Sequence, residues 1–408
     1  MSEQRVAQLL AEAAEDVPAP HLAEASWQRA GVVRHRRRIG AASVIAALAL
    51  VVGIAVVAPG SEAPSGPSGP PTSPAPAVTG PLPTMLPRLD GSPLPARLDW
   101  STAIPLSRAP MTRALALYQP LSEQDGAPPS GPIYALDVDG RLRLLDDVEL
   151  SPTRDAGGNL ATPLKSGSLS PDGRIAAFPQ TDKLVLVNLL LPAIETIPVA
   201  GYNESVVWLG DGSLVVGRAQ DASLVTLNTG RVRTLPLAAW DLVGETEATP
   251  DRYLELRARW DGGRAAAAEP ARLRFWSGEG TSPARVVALG GSGGDAMMGD
   301  FYGRAWRSGD LVVRSGWLSP NNNAGGTAGP EAVVVVNLND GVIVNLLDVG
   351  RERWKACCEA LGWLNDHMVL LRIDRQGVVA WDIWTDVCWQ VQEETRAVIS
   401  LADLNRRG

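Results

Sequence analysis

The sequence predicts an all-β domain built as a β-propeller of about six blades, or seven, behind a single transmembrane α-helix and a short helical cytoplasmic tail. Three observations predict this. Residues Ile39 to Ala58 form an uncharged apolar run. Helical periodicity ends after residue 95 and short strand-like runs take over. A strand–turn–strand unit then recurs, with two Asp-Gly turns 39 residues apart. The expected divisions are a cytoplasmic tail over 1–38, a membrane span over 39–58, a proline-rich stalk over 59–95 and an extracytoplasmic propeller over 96–408.

The run IGAASVIAALALVVGIAVVA holds one hydroxyl, Ser43, and no charge. At about 1.5 Å rise per residue, a helix of that length crosses the roughly 30 Å hydrocarbon core. Arg34, Arg36, Arg37 and Arg38 precede it, and the next basic residue is Arg88. That asymmetry places the N-terminus in the cytoplasm and the C-terminal domain outside, in a single-pass protein of the cell membrane. A cleaved secretory signal is the rival reading, and Val56-Val57-Ala58 could serve as its cleavage site. Pro59 would hinder the peptidase, and the 38 preceding residues with five acids are unlike a signal's short basic start. A soluble core helix is a third reading, disfavoured because the segment has no polar face.

Before the span, Val6, Leu9, Leu10, Ala13, Ala14 and Val17 recur at helical spacing, so an amphipathic helix is expected from about Glu3 to Asp16, stopped by Pro18. It would dock a cytoplasmic partner or lie on the membrane surface. After the span, Pro59 to Pro95 contains twelve prolines among Ser, Gly, Thr and Ala. Such a segment has no means of forming a core and is expected to be an extended spacer.

From Ala96 onward, apolar runs alternate with turn residues in the manner of consecutive hairpins. Ile133-Val138, Asp139-Gly140 and Arg141-Leu145 form one such unit, and Val206-Leu209, Asp211-Gly212 and Ser213-Val216 another. Four strands per unit, repeated, describe propeller blades. The segment Leu169-Ser-Pro-Asp-Gly-Arg-Ile-Ala-Ala-Phe178, followed by Val-Leu-Val-Asn-Leu, resembles the repeat of TolB-type and related WD-like propellers. The strong bias to arginine, 34 against three lysines, is similar to that of a high-GC, actinobacteria-like bacterium. The resemblance implies a closed ring whose last blade borrows a strand from one terminus. Asp99-Leu106 is the expected closing strand, meeting the blade over Cys358-Val391, and a seventh blade would have to come from Asp241-Leu289. The resemblance also places Trp208 and Trp363 between blades as packing groups, whereas Trp384 and Trp389 are equally suited to packing or to an aromatic binding platform.

The chemistry of the sequence excludes more than it proposes. Residues 59–408 carry 40 acids against 31 basic groups, which repels a phosphate backbone, so no nucleic-acid partner is expected. His367 is the single histidine of that region, too few for a histidine metal site. Gly290-Gly-Ser-Gly-Gly294 matches a nucleophile-elbow spacing, but Asp-Ala-Met-Met-Gly follows where a helix is required. Asp137-Val-Asp-Gly140 reads as a hairpin turn without the remaining ligands of a calcium loop. No catalytic, cofactor-binding or metal-binding residue is therefore expected, and no cofactor. Cys357, Cys358 and Cys388 cluster near the C-terminal end, and a disulfide Cys358–Cys388 or Cys357–Cys388 is expected in an oxidising compartment. These features describe a non-enzymatic binding or scaffolding module that meets a protein or cell-envelope ligand on its loop face. A transducer working through the N-terminal helix, and a hydrolase or lyase using channel carboxylates, are the alternatives.

Overall fold

The computed structural model describes residues 78–79, 82–83, 85–121, 131–155, 157–210, 212–218, 221–235, 242–244, 252–257, 272–277, 283–289, 298–318, 331–350 and 358–405. These fall in one compact unit starting at Pro70. The expected tail helix and membrane span lie outside the described residues. Among the described residues there is no α-helix, and no helix long and apolar enough to cross a membrane.

The described chain forms a propeller of five blades. In blades II to V the inner strand comes first in the chain and three antiparallel neighbours step outward, whereas the inner strand of blade I is the last strand of the chain. Blade I joins the C-terminal strand Ala397–Leu401 to Ala114–Pro120, Tyr134–Asp137 and Leu142–Leu144. Blade II sets an inner segment around Leu169 against Ile175–Gln180, Lys183–Asn188 and Ala193–Pro198. Blade III is Ser205–Trp208, Ser213–Gly217, Ala222–Thr226 and Arg231–Leu235; blade IV is Met298–Ser308, Leu311–Leu318, Glu331–Asn337 and Ile343–Gly350. Blade V is Cys358–Trp363, Met368–Ile373, Gly377–Asp382 and Cys388–Gln392.

The expected count of six or seven blades is thus corrected to five. Between blades III and IV a three-stranded sheet, Arg252–Arg257, Arg272–Ser277 and Arg285–Ala288, has no inner strand of its own among the described residues. The short strand Val243–Gly244 that would have supplied it pairs in parallel with blade IV instead, Val243 opposite Ala305 and Gly244 opposite Trp306. Two residues suffice to bridge a gap but not to found a blade.

Ring closure also differs from expectation. Asp99-Leu106 does not complete the last blade. It forms a 3₁₀ turn capped by the Asp99 carboxylate, then a two-residue strand, Ile104–Pro105, parallel to the outer strand of blade I. The closing strand is Ala397–Leu401, which pairs antiparallel with Ala114–Pro120 from Ala397 opposite Pro120 to Leu401 opposite Ala116. Ser400 carries the seam to blade II: its Oγ accepts from Leu169 N at 2.9 Å and donates to Ser166 O at 2.9 Å.

Alternating apolar residues on each strand meet those of the next blade, so the core is a series of inter-blade layers. Leu117 of blade I packs with Phe178 of blade II, Leu184 of blade II with Val206 of blade III, and Val335 of blade IV with Trp381 of blade V. Tyr118 and Leu136 of blade I join Leu370 and Ala380 of blade V, and between blades III and IV the three-stranded sheet packs Trp276 with Val207 and Leu273 with Val334.

The last part of the proline-rich segment is not a free spacer. Leu82, Leu86 and Leu89 pack against blade V and its neighbours. Pro83 O accepts from Gln376 Nε2 at 2.7 Å, Pro87 O from Gln390 N at 2.8 Å and Pro95 O from Gln392 Nε2 at 3.1 Å. Val78–Thr79 pairs in parallel with the outer strand of blade IV, and Arg88 bridges in parallel to Gln390 of blade V. With Ile104–Pro105 on blade I, one continuous segment covers three outer edges that would otherwise present unpaired backbone.

Candidate functional site

The inner strands end around a cavity of about 540 Å³ on the ring's axis. Every blade contributes: Leu169 from II, Trp208 from III, Arg304 and Trp306 from IV, Leu361 and Trp363 from V, Leu401 from I, with Gly244 from the bridging strand. Asp310, Asp366, Asp403 and Asn405 stand at the rim, where Asn405 donates to the carboxylates of both Asp366 and Asp403 at 3.0 Å. Pockets of a few hundred Å³ with apolar walls and a few polar groups are the usual form of a small-ligand site.

Arg304 is the singular group in this wall. The inner strand of blade IV carries a bulge: between Tyr302, opposite Ser315, and Trp306, opposite Val313, it has three residues where its neighbour has one. Gly303 makes the bend with φ +63, a conformation glycine adopts without strain. Bulges re-aim side chains, and here the result is a guanidinium turned inward, 9% exposed. Two glycines make room for this pair of large side chains. A Cβ on Gly167 would collide first with the Val206 carbonyl oxygen and then stand 2.8 Å from Arg304 Cζ, and one on Gly244 would stand 2.8 Å from Trp306 Cε3.

Arg304 Nε and Nη1 are buried and have no hydrogen-bond partner among the described residues. The cation lies 5.9 Å from the Trp306 ring centroid, a weak cation–π contact. Burial draws its pKa down to about 10; Glu359 opposes that shift and the neighbouring Arg314 adds to it. The group is still charged at neutral pH. Glu359 does not neutralise it by contact, being held by Arg372 Nη2 at 3.1 Å.

The indoles around the cavity are braced across blade boundaries. Trp306 Nε1 donates to Ala360 O at 2.8 Å, Trp363 Nε1 to Trp306 O at 3.1 Å and Trp208 Nε1 to Ser168 O at 3.4 Å. Trp208 and Trp363 are inter-blade packing groups, as the repeat implied, yet their edges also form part of the wall. Trp389 is half-buried against blades I and V, while Trp384 projects from a turn, 61% exposed. His367 lies outside the cavity in the turn before Met368–Ile373, its Nε2 3.9 Å from Asp382 Oδ2. Asp137-Val-Asp-Gly140 is the hairpin turn expected of it, closed by Gly140 N to Asp137 O.

Neither expected cysteine pairing forms in this structure. Cys388 is a free, buried thiol, its pKa pushed up to about 12 by burial and then by Asp386. Cys358 is disulfide-bonded, and its partner lies outside the described residues. The Gly290–Gly294 segment also lies outside them. Among the described residues no group of three His, Cys, Asp or Glu side chains is placed to hold a metal ion.

Lys165, two residues before Gly167, is the other displaced cation. Burial lowers its pKa to about 8, and Glu204 opposes the shift. Its Nζ donates to Thr153 Oγ1 at 2.6 Å. Because the folded-state value lies below the ordinary 10.5, the unfolded chain binds more protons between about pH 8 and 10.5. Stability is therefore expected to rise through that window, and to be lost as pH falls toward 8. The urea midpoint of the wild type, measured against Lys165→Met, should gain on the variant between pH 8 and pH 10. Parallel curves would refute the shift.

The residues that sequence reasoning missed are Arg304 and Trp306, with Gly167 and Gly244 beside them. Their signal was Gly303-Arg304-Ala305-Trp306 inside a strand, where an interior glycine marks a bulge or close approach.

No protein-family profile matches this chain, and no curated protein matches it. Solved structures do, at low identity. YCF48 bound to D1 peptide is similar with 10% identity, 75% of this chain and 87% of that one covered, and a TM-score of 0.41. A chain of the mitotic checkpoint complex has 11% identity, 60% and 69% coverage and a TM-score of 0.38. Kluyveromyces lactis Hsv2 has 12% identity, 63% and 81% coverage and a TM-score of 0.34.

Proposed function

We propose that this chain is an extracytoplasmic binding module whose ligand enters the axial cavity from the rim formed by Asp310, Asp366 and Asp403. The observation that carries this reading is the cavity itself: inner strands from all five blades converge on one space of about 540 Å³. The uncharged run Ile39–Ala58 and the arginines before it support attachment to the cell membrane with the propeller outside. The ligand is then a protein or another component of the cell envelope. Enzymatic use of the rim carboxylates is the weaker reading, because Asn405 already holds Asp366 and Asp403 through hydrogen bonds.

The test narrows the rim. Ser308, at the end of the blade IV inner strand, lines the opening. The full chain in detergent should capture a reproducible set of envelope components that Ser308→Trp, folded to the same melting temperature, fails to capture. Recovery of the same set by both proteins would reject the axial cavity as the binding site.

A further inference from the structure

The cavity wall holds a cation without a counter-charge in contact, and resting on the axial-site reading above, we propose that Arg304 receives the carboxylate of a small ligand whose apolar body lies against the tryptophans. Three observations converge on it. The guanidinium is nine-tenths buried, yet Nε and Nη1 meet no acceptor among the described residues. Leaving charged donors buried and unmatched is costly, so a fold that turns them inward on a bulge sacrifices stability at that point. The surrounding surface, Leu169, Trp208, Trp306, Leu361, Trp363 and Leu401, suits a flat or branched hydrocarbon body.

Charge arithmetic selects the class of anion. Arg304 and the half-buried Arg307 line the cavity against the three carboxylates of Asp310, Asp366 and Asp403. The rim aspartates and nearby Glu359 penalise a doubly charged phosphate more than a monoanion. A planar carboxylate also matches guanidinium geometry directly. The same chemistry is offered by a free organic acid and by the C-terminus of a peptide, and both would present a carboxylate attached to an apolar group.

The experiment pairs each acid with its uncharged isostere. The full chain in detergent is titrated with phenylacetate, cyclohexanecarboxylate and N-acetyl-phenylalanine, each beside its primary amide, and with inorganic phosphate, following indole fluorescence and calorimetry. A parallel arm uses acetylated tripeptides ending in phenylalanine, as free acid and as carboxamide. At least one acid should bind tenfold or more tightly than its amide. Arg304→Met should bring that acid down to its amide's affinity without changing the amide, and Arg304→Lys should retain part of the preference. Preference confined to the tripeptides identifies a chain end, and preference shared with the small acids identifies a free ligand; either supports the site. Acids binding no better than amides in the wild type, no binding by any probe, or phosphate binding best would each overturn the proposal, whether or not Arg304→Met folds. Equal binding of acid and amide that Ser308→Trp blocks would refute the carboxylate while leaving the axial site standing. Binding indifferent to Ser308→Trp would refute both.

Discussion

A chain stopped after Thr395 should show no cooperative unfolding transition and should be digested by protease at concentrations the full chain survives. The truncation removes the closing strand. Ala397, Ile399 and Leu401 are almost wholly buried between blades I and V, and full burial of an Ile or Leu side chain is worth about 1.5–3 kcal/mol each. The five pairings with Ala116–Pro120 are lost as well, together with both Ser400 hydrogen bonds to blade II. What is left of blade I then exposes the inner face around Tyr118 and the ring has a gap. Against a usual total of about 5–15 kcal/mol, the loss is large enough to abolish the fold. Stopping after Asn405, which spares the strand, should leave the urea midpoint unchanged. A cooperative transition in the shorter chain would show that the seam lies elsewhere.

Trp381→Ala should cost about 3–5 kcal/mol, the range for deleting a large aromatic from a core. Trp381 has 0% exposure and wedges the third strand of blade V against Val335 and Leu347 of blade IV. Its indole N–H is buried without a partner, so Trp381→Phe forfeits no hydrogen bond and should cost under about 1.5 kcal/mol, as size-tolerant apolar exchanges do. Trp306→Phe would differ, because the indole bond to Ala360 O would be lost and that carbonyl left unmatched. Denaturant midpoints of the three variants measure the difference. Equal losses from Trp381→Phe and Trp381→Ala would show that shape alone, and not volume, decides at this wedge.

Much of the blade structure is legible in the sequence because it is local. Ser170-Pro171-Asp172-Gly173 turns back through hydrogen bonds to the Ser170 side chain, and the strands on either side pair with their immediate successors. The same holds for Val206–Val216 in blade III. What was misread is non-local. Both termini offer a short apolar run that could close the ring, and only the partner across the seam, Ala114–Pro120, decides between them. The blade count failed at Val243–Gly244, where two residues choose a neighbour's inner strand over their own sheet. Proline spacing reads as spacer because proline donates no backbone hydrogen bond, yet Pro83, Pro87 and Pro95 are used purely as acceptors. Arg304 was hidden for a related reason: strand alternation gives a facing direction only while the register is unbroken, and a bulge breaks it at that residue.

The segment running from Val78 past Ile104 has a consequence for how the blades come apart. Repeated sheets that touch only their neighbours behave as a chain of weakly linked units, and one can loosen while the rest persist. Here a single stretch of backbone is bonded in turn to the outer strands of blades IV, V and I. It acts as a partial hoop: loosening any one of those three edges pulls on the fastening of the other two, and the three sectors are made to fail together.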